Sequence, residues 1–521
     1  MLATLLSTTL VALEGRVIRV EVDVAPGLPG FTIVGLGDAS IREARERVRG
    51  ALRNSGFVHP PRRITVNLAP ADVPKTGPAA DLAIAIGILI GSEQFTARAG
   101  RAALIGEVSL GGEVRPVPGL MPMVAALARR GVRRVIVPAQ GADEASLVGG
   151  LEIVPVATVA DAVDALRSRR RKAPARPDRV DLGSGRLDTA GDGGPVLVEP
   201  TPVPDLAEVR GQAEALRALE VALAGGHGLL MIGPPGTGKT MLARTIPGLL
   251  PPLSDEESLA ATVVASVSGE APIRSLVRTP PFRAPHHTSS YAAIVGGGPR
   301  LQPGEVTRAD GGVLFLDELT EFSRDVLEAL RQPLEDGRVT IVRASGATTL
   351  PARFQLVAAT NPCPCGYAGD ETRCTCAEGV PQRYVGRISG PLRDRIDIWV
   401  TLSRVLGRAM VAGTEPEASD VVASRIAIAR DVQRARLGGR LNARLSGRAL
   451  RAHAQMRPAT NRRLGDLAES ERLSGRGTER LLRVGRTVAD LAGSWSVEIE
   501  HLEEAARWRP PSARPLVALA V

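Results

Sequence analysis

Aromatic side chains are scarce in this chain of 521 residues: 3 Trp, 3 Tyr and 7 Phe. So few rings argue against base stacking as the main mode of any nucleic-acid contact, and leave phosphate-backbone contact as the better expectation. Long apolar runs are missing too: the longest, such as Leu82 to Ile90, fall far short of a bilayer span. The first residues, Met1-Leu-Ala-Thr-Leu-Leu6, lack the basic segment of a secretory signal. A soluble, cytoplasmic protein without membrane contact is expected. Cysteine is limited to four residues, all between 363 and 376.

Positive charge is uneven. The net charge is +9, and the stretch from Arg425 onward, with 19 Arg against 10 acidic residues, carries all of it. A basic C-terminal region suits an anionic partner, nucleic acid first; a charged helical surface in an arginine-rich chain explains it equally well. The length suggests about three domains.

The most informative stretch is Gly233-Pro234-Pro235-Gly236-Thr237-Gly238-Lys239-Thr240. It follows an apolar run, Leu229 to Ile232, and precedes a segment able to continue as a helix. Strand, glycine-rich turn and helix form the setting in which this pattern cradles phosphates. Glycines let the backbone close around phosphate oxygens, and helix N-terminal N–H groups point at them. Lys239 is expected to reach the β- and γ-phosphates of ATP, and Thr240 to ligate Mg²⁺. Downstream, Val313-Leu-Phe-Leu316 ends in Asp317-Glu318. A buried strand with two acids at its C-terminal end suits Asp317 as a Mg²⁺ partner and Glu318 as the group that orients or deprotonates water. A third apolar run, Phe354 to Thr360, ends at Asn361, in the place of a polar sensor of the γ-phosphate.

Around this ATPase core, 201–405, three further regions are expected. Residues 1–168 mix strand and helix patterns: a half-buried strand within Thr9 to Val24, an amphipathic helix over Ala39 to Leu52, strands at Ile64 to Leu68, Leu104 to Val108 and Val135 to Val137, and helices over Ala79 to Ile90 and Met121 to Arg130. Residues 169–200, opening with a basic cluster at Arg167 to Lys172, read as a Pro/Gly-rich linker. Residues 406–521 read as a small helical domain, with helices over Ser419 to Arg436, Thr460 to Ala468, Gly477 to Leu491 and Ile499 to Trp508.

Two segments of the first region resemble the Lon protease domain, whose α+β fold is of the ribosomal S5 domain 2 type. Pro74-Lys-Thr-Gly-Pro-Ala-Ala-Asp81 is similar to the segment bearing its serine, and Gly119-Leu-Met-Pro-Met-Val-Ala-Ala126 to the one bearing its lysine. Here those positions hold Ala79 and Met123. Neither side chain supplies a nucleophile or a base, so the resemblance implies the fold and argues against proteolysis.

Across the whole chain, Phe282-Arg-Ala-Pro-His-His-Thr288, Pro303-Gly-Glu305, Leu330-Arg-Gln-Pro-Leu-Glu335, Asn361-Pro-Cys-Pro-Cys-Gly366 and Ser389-Gly-Pro-Leu-Arg-Asp-Arg-Ile-Asp397 resemble the magnesium chelatase-like AAA+ family of the ComM/YifB type. The resemblance implies an α/β multidomain protein: a Lon-like domain, an AAA+ ATPase core and a C-terminal helical lid. It implies a homo-hexamer that uses ATP to drive DNA branch migration in recombination, notably during natural transformation. Branched or single-stranded DNA would be the partner. Arg395 would be the finger that reaches a neighbour's nucleotide, with Arg393 a competitor and an ion pair to Asp394 or Asp397 the plain alternative. Arg476 would contact nucleotide from the lid, with Arg480 one turn on as the alternative. A chelatase motor subunit, or a ring ATPase remodelling proteins, shares this core and stays open.

Two more features carry chemistry. Val339 to Leu350 alternates around a Ser-Gly turn and reads as a hairpin, so that Arg338 and Arg343 either line a DNA channel or lie solvated at the surface. Cys363-Pro-Cys365 and Cys374-Thr-Cys376 form two close pairs suited to tetrahedral Zn²⁺ in a compartment that disfavours disulfides.

Overall fold

The computed structural model describes every residue except 36–37, 98–101, 168–185, 189–195, 199–201, 299–300, 344–345, 371, 405–415 and 510–521. The chain forms two compact units: Met1–Pro200 with Asp255–Val277 and Gly297–Pro303, and Thr201–Ser254 with Arg278–Gly296 and Gly304–Val521. Two pieces from within 201–405 therefore fold with the first unit. Most of the expected linker lies outside the described residues; within it, Arg186–Asp188 pairs antiparallel with Val196–Val198.

The first unit is built on a seven-stranded mixed sheet in the order Gly30–Val34, Arg63–Ala69, Glu14–Ala25, Leu2–Val11, Ala102–Leu104, Arg134–Pro138, Glu152–Val156. The strand expected within Thr9 to Val24 is in fact two, joined by a tight turn at Ala12 and Leu13 that pairs Val11 with Glu14. Ala12 takes a left-handed backbone, φ 54°. Leu104 to Val108 is likewise split, into Ala102–Leu104 and Glu107–Val108. The helix Asp81–Gly91 is buried at nearly every position, as its unbroken apolar sequence requires. The helix Asp255–Ser268, lent by the second stretch of chain, docks here: the Glu144 carboxylate accepts from the Ser266 hydroxyl at 2.5 Å and from the Met121 N–H at 2.8 Å, and the Gly119 N–H donates to the Ser266 carbonyl at 2.8 Å.

The second unit has a five-stranded, wholly parallel sheet in the order Phe282–Arg283, Val313–Leu316, Gln355–Thr360, Leu229–Ile232, Ile398–Thr401. The three central strands are buried along their full length, which is why they read as unbroken apolar runs. The helices Ser419–Leu437, Gly447–Ala454, Pro458–Ser470, Gly475–Leu491 and Ile499–Arg507 follow. Their apolar faces share one core with the sheet: Ile426, Leu481 and Leu502 are buried with Leu229 and Leu223.

A buried polar knot ties these helices to the last strand. The Asp397 carboxylate pairs with His227 Nδ1 at 2.8 Å and faces Arg480 and Arg483 at 3.7 and 3.9 Å, while His227 Nε2 meets the Thr487 hydroxyl at 2.8 Å. Burial alone would raise the Asp397 carboxyl; the His227 hydrogen bond and the two guanidiniums outweigh it and hold the carboxyl below its ordinary value. Its contribution is therefore full above the unfolded carboxylate value of about 4 and fades as pH falls through the lower folded value. Asp397→Ala leaves two arginines facing a void, so a loss of about 3 kcal/mol or more is expected at neutral pH. Thermal or urea melts at neutral pH and below pH 4 check it: the gap to the parent protein should narrow at the acid end.

Candidate functional site: the phosphate loop

The parallel register places three strand ends side by side. Ile232 lies opposite Thr360, and Leu316 opposite Ala358. The residues that follow each strand therefore converge on one cleft of about 780 Å³, lined by the phosphate loop from Pro235 to Met241 together with Asp317, Glu318, Thr360 and Asn361. Of the core residues expected to bind nucleotide or Mg²⁺, Pro235 to Thr240, Asp317, Glu318 and Asn361 line this cleft, while Gly233 and Pro234 lie just outside its lining.

The loop's backbone explains its glycines. Gly236 and Gly238 have φ of 77° and 91°, a region closed to most side chains. A Cβ on Gly233 would lie 2.5 Å from the Leu402 carbonyl. Gly238 starts the helix Lys239–Arg244, whose first N–H groups face the cleft as phosphate donors. Lys239 Nζ donates to the Gly233 and Pro234 carbonyls at 2.6 and 2.9 Å and to Asn361 Oδ1 at 3.2 Å. Burial pulls its ammonium down to about 8, against the opposing attraction of Asp317 and Glu318. A phosphate would replace those carbonyls with full negative charge. Thr240 Oγ1 donates to Asp317 Oδ2 at 2.7 Å, and these are the two residues that would hold Mg²⁺ beside the phosphates. The oxygen donors of Thr240 and Asp317 are the hard ligands this ion takes.

Glu318 stands in a left-handed backbone, φ 51° and ψ 48°. Its N–H caps Asp317 Oδ1 at 3.0 Å, and its Oε2 lies 3.2 Å from His287 Nδ1. His287 in turn lies 4.1 Å from the His286 ring, centre to centre. The sequence suits His286 and His287 to ordering their segment or to touching substrate; the fold sets His287 beside Glu318. The stretch Phe282 to Gly304 that looks like an insertion also supplies the edge strand Phe282–Arg283.

Other expected residues lie elsewhere. Arg395 pairs with Glu335 at 2.7 Å, rather than with Asp394 or Asp397; Arg393 sits over the Trp399 ring. Neither lines the cleft. Arg476 is exposed in the first turn of Gly475–Leu491. Arg480 is buried and donates to the Asp394 carbonyl at 2.8 Å, so the helix Gly475–Leu491 grips the residue before Arg395. The hairpin is present, Arg338–Arg343 with Gly346–Pro351. Val339 and Leu350 are buried at its base, Val342 is exposed near its tip, and Arg338 is exposed; the Arg343 side chain lies outside what the structure describes. In the first unit, Ala79 and Met123 line one cleft with Leu10, Val117, Pro118 and Val267. The positions expected to correspond to the Lon serine and lysine thus meet, in a lining that is mostly apolar, with Thr76 and Gln302 as its polar side chains.

The four cysteines, distant from the phosphates' side of the loop in sequence, form one cluster with all Sγ atoms within 4.8 Å of one another. They are free thiols.

Comparison with known proteins agrees with this architecture. Family profiles described as magnesium chelatase, subunit ChlI; subunit ChlI of Mg-chelatase; and magnesium chelatase, subunit ChlI C-terminal match residues 205–410, 20–141 and 416–509. YifB of Escherichia coli is 42% identical over 498 residues, covering 94% of this chain and 94% of that protein. The competence protein ComM of Haemophilus influenzae is 40% identical over 512 residues, covering 98% and 97%. The chain belongs to the magnesium chelatase-like ComM/YifB family. An uncharacterized protein of Mycobacterium tuberculosis is 43% identical, covering 96% and 97%. Shorter similarities, 32% identical each, run to Lon protease 2 of Bacillus subtilis over 23% of this chain and 21% of that one, and to the Holliday junction branch migration complex subunit RuvB of Paenarthrobacter aurescens over 32% and 33%.

The cleft separates binding from chemistry. Lys239→Ala should abolish nucleotide binding, read by fluorescent-nucleotide titration. Glu318→Gln should bind nucleotide like the parent yet turn over ATP at least about 100-fold more slowly. For the parent protein, nucleotide affinity should hold steady below pH 8 and fall above it, as the free Lys239 ammonium loses its proton.

Proposed function

We propose that this protein is an ATP-driven ring motor that moves branched or single-stranded DNA, promoting branch migration in homologous recombination, with uptake of transforming DNA as its setting. The observation that carries the ATPase half is the convergence of Lys239, Thr240, Asp317, Glu318 and Asn361 on one cleft. In each turnover Lys239 and the loop N–H groups hold the phosphates, Thr240 and Asp317 hold Mg²⁺, Asn361 orients the terminal phosphate or its water, and Glu318 takes the water's proton. Among the described residues no arginine lines the cleft. A neighbour's Arg395 would fill that role, which calls for a ring, a hexamer in the proposed assembly. Lid Arg476 would touch nucleotide only after the lid closes.

The DNA half rests on three supports: near-complete similarity to a protein named for competence, local similarity to a branch-migration subunit, and the C-terminal excess of arginine. Arg338 and Arg343 on the exposed hairpin would contact phosphates in the ring's channel. The cytoplasm would be its compartment; among the described residues no helix is long and apolar enough to cross a membrane. ATP and Mg²⁺ are its cofactors, with Zn²⁺ as a structural ion on the four thiols. A chelatase role has the support of the three family profiles, each described by the magnesium chelatase subunit ChlI. Proteolysis is opposed by the mostly apolar cleft at Ala79 and Met123.

Forked or four-way DNA should raise ATP turnover, and labelled junctions should be migrated by the parent and not by Lys239→Ala. Stimulation by a porphyrin or an unfolded protein, with none by DNA, overturns the reading. Arg338→Gln with Arg343→Gln should weaken DNA binding and reduce the slope of log affinity against log salt by about 1 to 2, on the order of one per lost phosphate contact; an unchanged slope removes the hairpin from the DNA path.

A further inference from the structure

The cysteine cluster sits between two parts of the nucleotide site. On one side, Asn361 is two residues before Cys363, and its Oδ1 takes a hydrogen bond from Lys239. The intervening chain is Asn361-Pro362-Cys363-Pro364-Cys365. Each proline fixes its φ near −65°, so a shift of the sulfurs is passed to Asn361 with little slack. On the other side, Gly366 lies against the phosphate loop. Its φ is 88°, and a Cβ there would stand 2.6 Å from Pro235 Cδ.

The sulfurs have the spacing of a metal site. Tetrahedral Zn²⁺ with Zn–S bonds of about 2.3 Å sets its sulfurs about 3.8 Å apart. Here Cys365 and Cys374 are 3.7 Å apart and Cys363 and Cys365 3.2 Å. Both distances far exceed a disulfide bond of about 2.05 Å. The backbone is arranged to receive thiolates: the Ala368 N–H donates to Cys363 Sγ at 3.1 Å, and the Tyr367 and Thr375 N–H groups face Cys365. Such outer hydrogen bonds orient ligands and offset their charge. Cys363 is buried and the other three are part-exposed, which leaves a path for the ion.

We propose that Cys363, Cys365, Cys374 and Cys376 bind one Zn²⁺ as a tetrathiolate, and that this metal-closed loop is a positioning element for ATP hydrolysis, setting Asn361 and the phosphate-loop shoulder at Pro235. Binding displaces the thiol protons to solvent and changes no oxidation state. The positioning half rests on the ATPase reading above; the metal half does not. The loop acts through Asn361, so its loss should lower the catalytic rate and spare nucleotide binding.

The test uses the full chain, purified without chelator. Metal content is measured by mass spectrometry and by release to a colorimetric chelator when the thiols are blocked with a mercurial. One Zn²⁺ per chain is expected, absent from Cys374→Ser with Cys376→Ser. Relative to the parent, that variant should lose about 10- to 100-fold in kcat, the scale of a misplaced catalytic group, with nucleotide Kd nearly unchanged. Combined with Asn361→Ala it should lose no more than Asn361→Ala alone, because coupled residues are not additive. Gly366→Ala should keep the metal and still lower kcat, a check independent of whether the cysteine variant folds. A chain that takes up no stoichiometric Zn²⁺, even after incubation with it, overturns the metal site. Metal-free protein with parental kcat, or a cysteine effect that multiplies with that of Asn361→Ala, overturns the positioning role. A parent protein with full zinc and no ATP turnover under any condition instead defeats the ATPase reading, and the positioning role with it.

Discussion

The parallel register of the second unit's sheet is the constraint on which its site depends. Parallel strands bring their C-terminal ends to one edge, and ligands bind there in open α/β sheets. With Ile232 opposite Thr360 and Leu316 opposite Ala358, the next residues on each strand have nowhere to go but a common cleft. A lysine, two acids and an asparagine separated by as many as 122 positions become neighbours. The glycine backbone of the phosphate loop then does the local work, holding φ values that a substituted residue resists. Lys239 shows how poised the arrangement is. It is buried, it borrows backbone carbonyls as partners, and burial weakens its hold on its proton.

What was legible in the sequence divides along a physical line. The phosphate loop, Asp317, Glu318 and Asn361 could be found because glycine pattern and apolar strand runs are local signals, and each residue sits directly after its strand. The partners of Arg395, Arg480 and His287 could not. Glu335, Asp394 and Glu318 are brought to them only by packing, and Arg480 reaches a residue 86 positions away. Arg395 is the instructive case: the nearby acids Asp394 and Asp397 looked like its partners, yet Arg480 and His227 already hold them. The first hairpin was hidden for a different reason. Its turn at Ala12 and Leu13 carries none of the Gly, Asn or Asp that usually mark a two-residue turn. The helix Gly447–Ala454 gives only a faint signal, because its eight residues hold one large apolar side chain, Leu450.

Ala79 and Met123 meet in the cleft where the Lon resemblance would seat a serine and a lysine. Both are buried with an apolar cluster that includes Leu120, Val124 and Val135. An ammonium and a hydroxyl in such a place need partners and solvation to stay charged and reactive; alanine and methionine need neither. The helix Asp255–Ser268 closes against the first unit through Ser266 and Glu144. That helix follows the phosphate loop in the chain, and the backbone passes between the two units at four places besides the segment around residue 200. A domain tied in that way is part of the ATPase's chain path rather than an appendage on a tether.

The Arg395 pair bears on how a ring would be assembled. Arg395 and Glu335 are both substantially exposed, with 33% and 59% of their side-chain surface open. An exposed pair of this kind contributes about 0 to 1 kcal/mol. Exchanging Glu335 for a neighbour's phosphate therefore costs little, and the phosphate offers more negative charge. By contrast, the backbone just before Arg395 is held firmly: Arg480 is buried and fixes the Asp394 carbonyl, and Asp397 is locked into the His227 knot. A stiffly mounted base with a loosely held head is what a group acting across an interface requires.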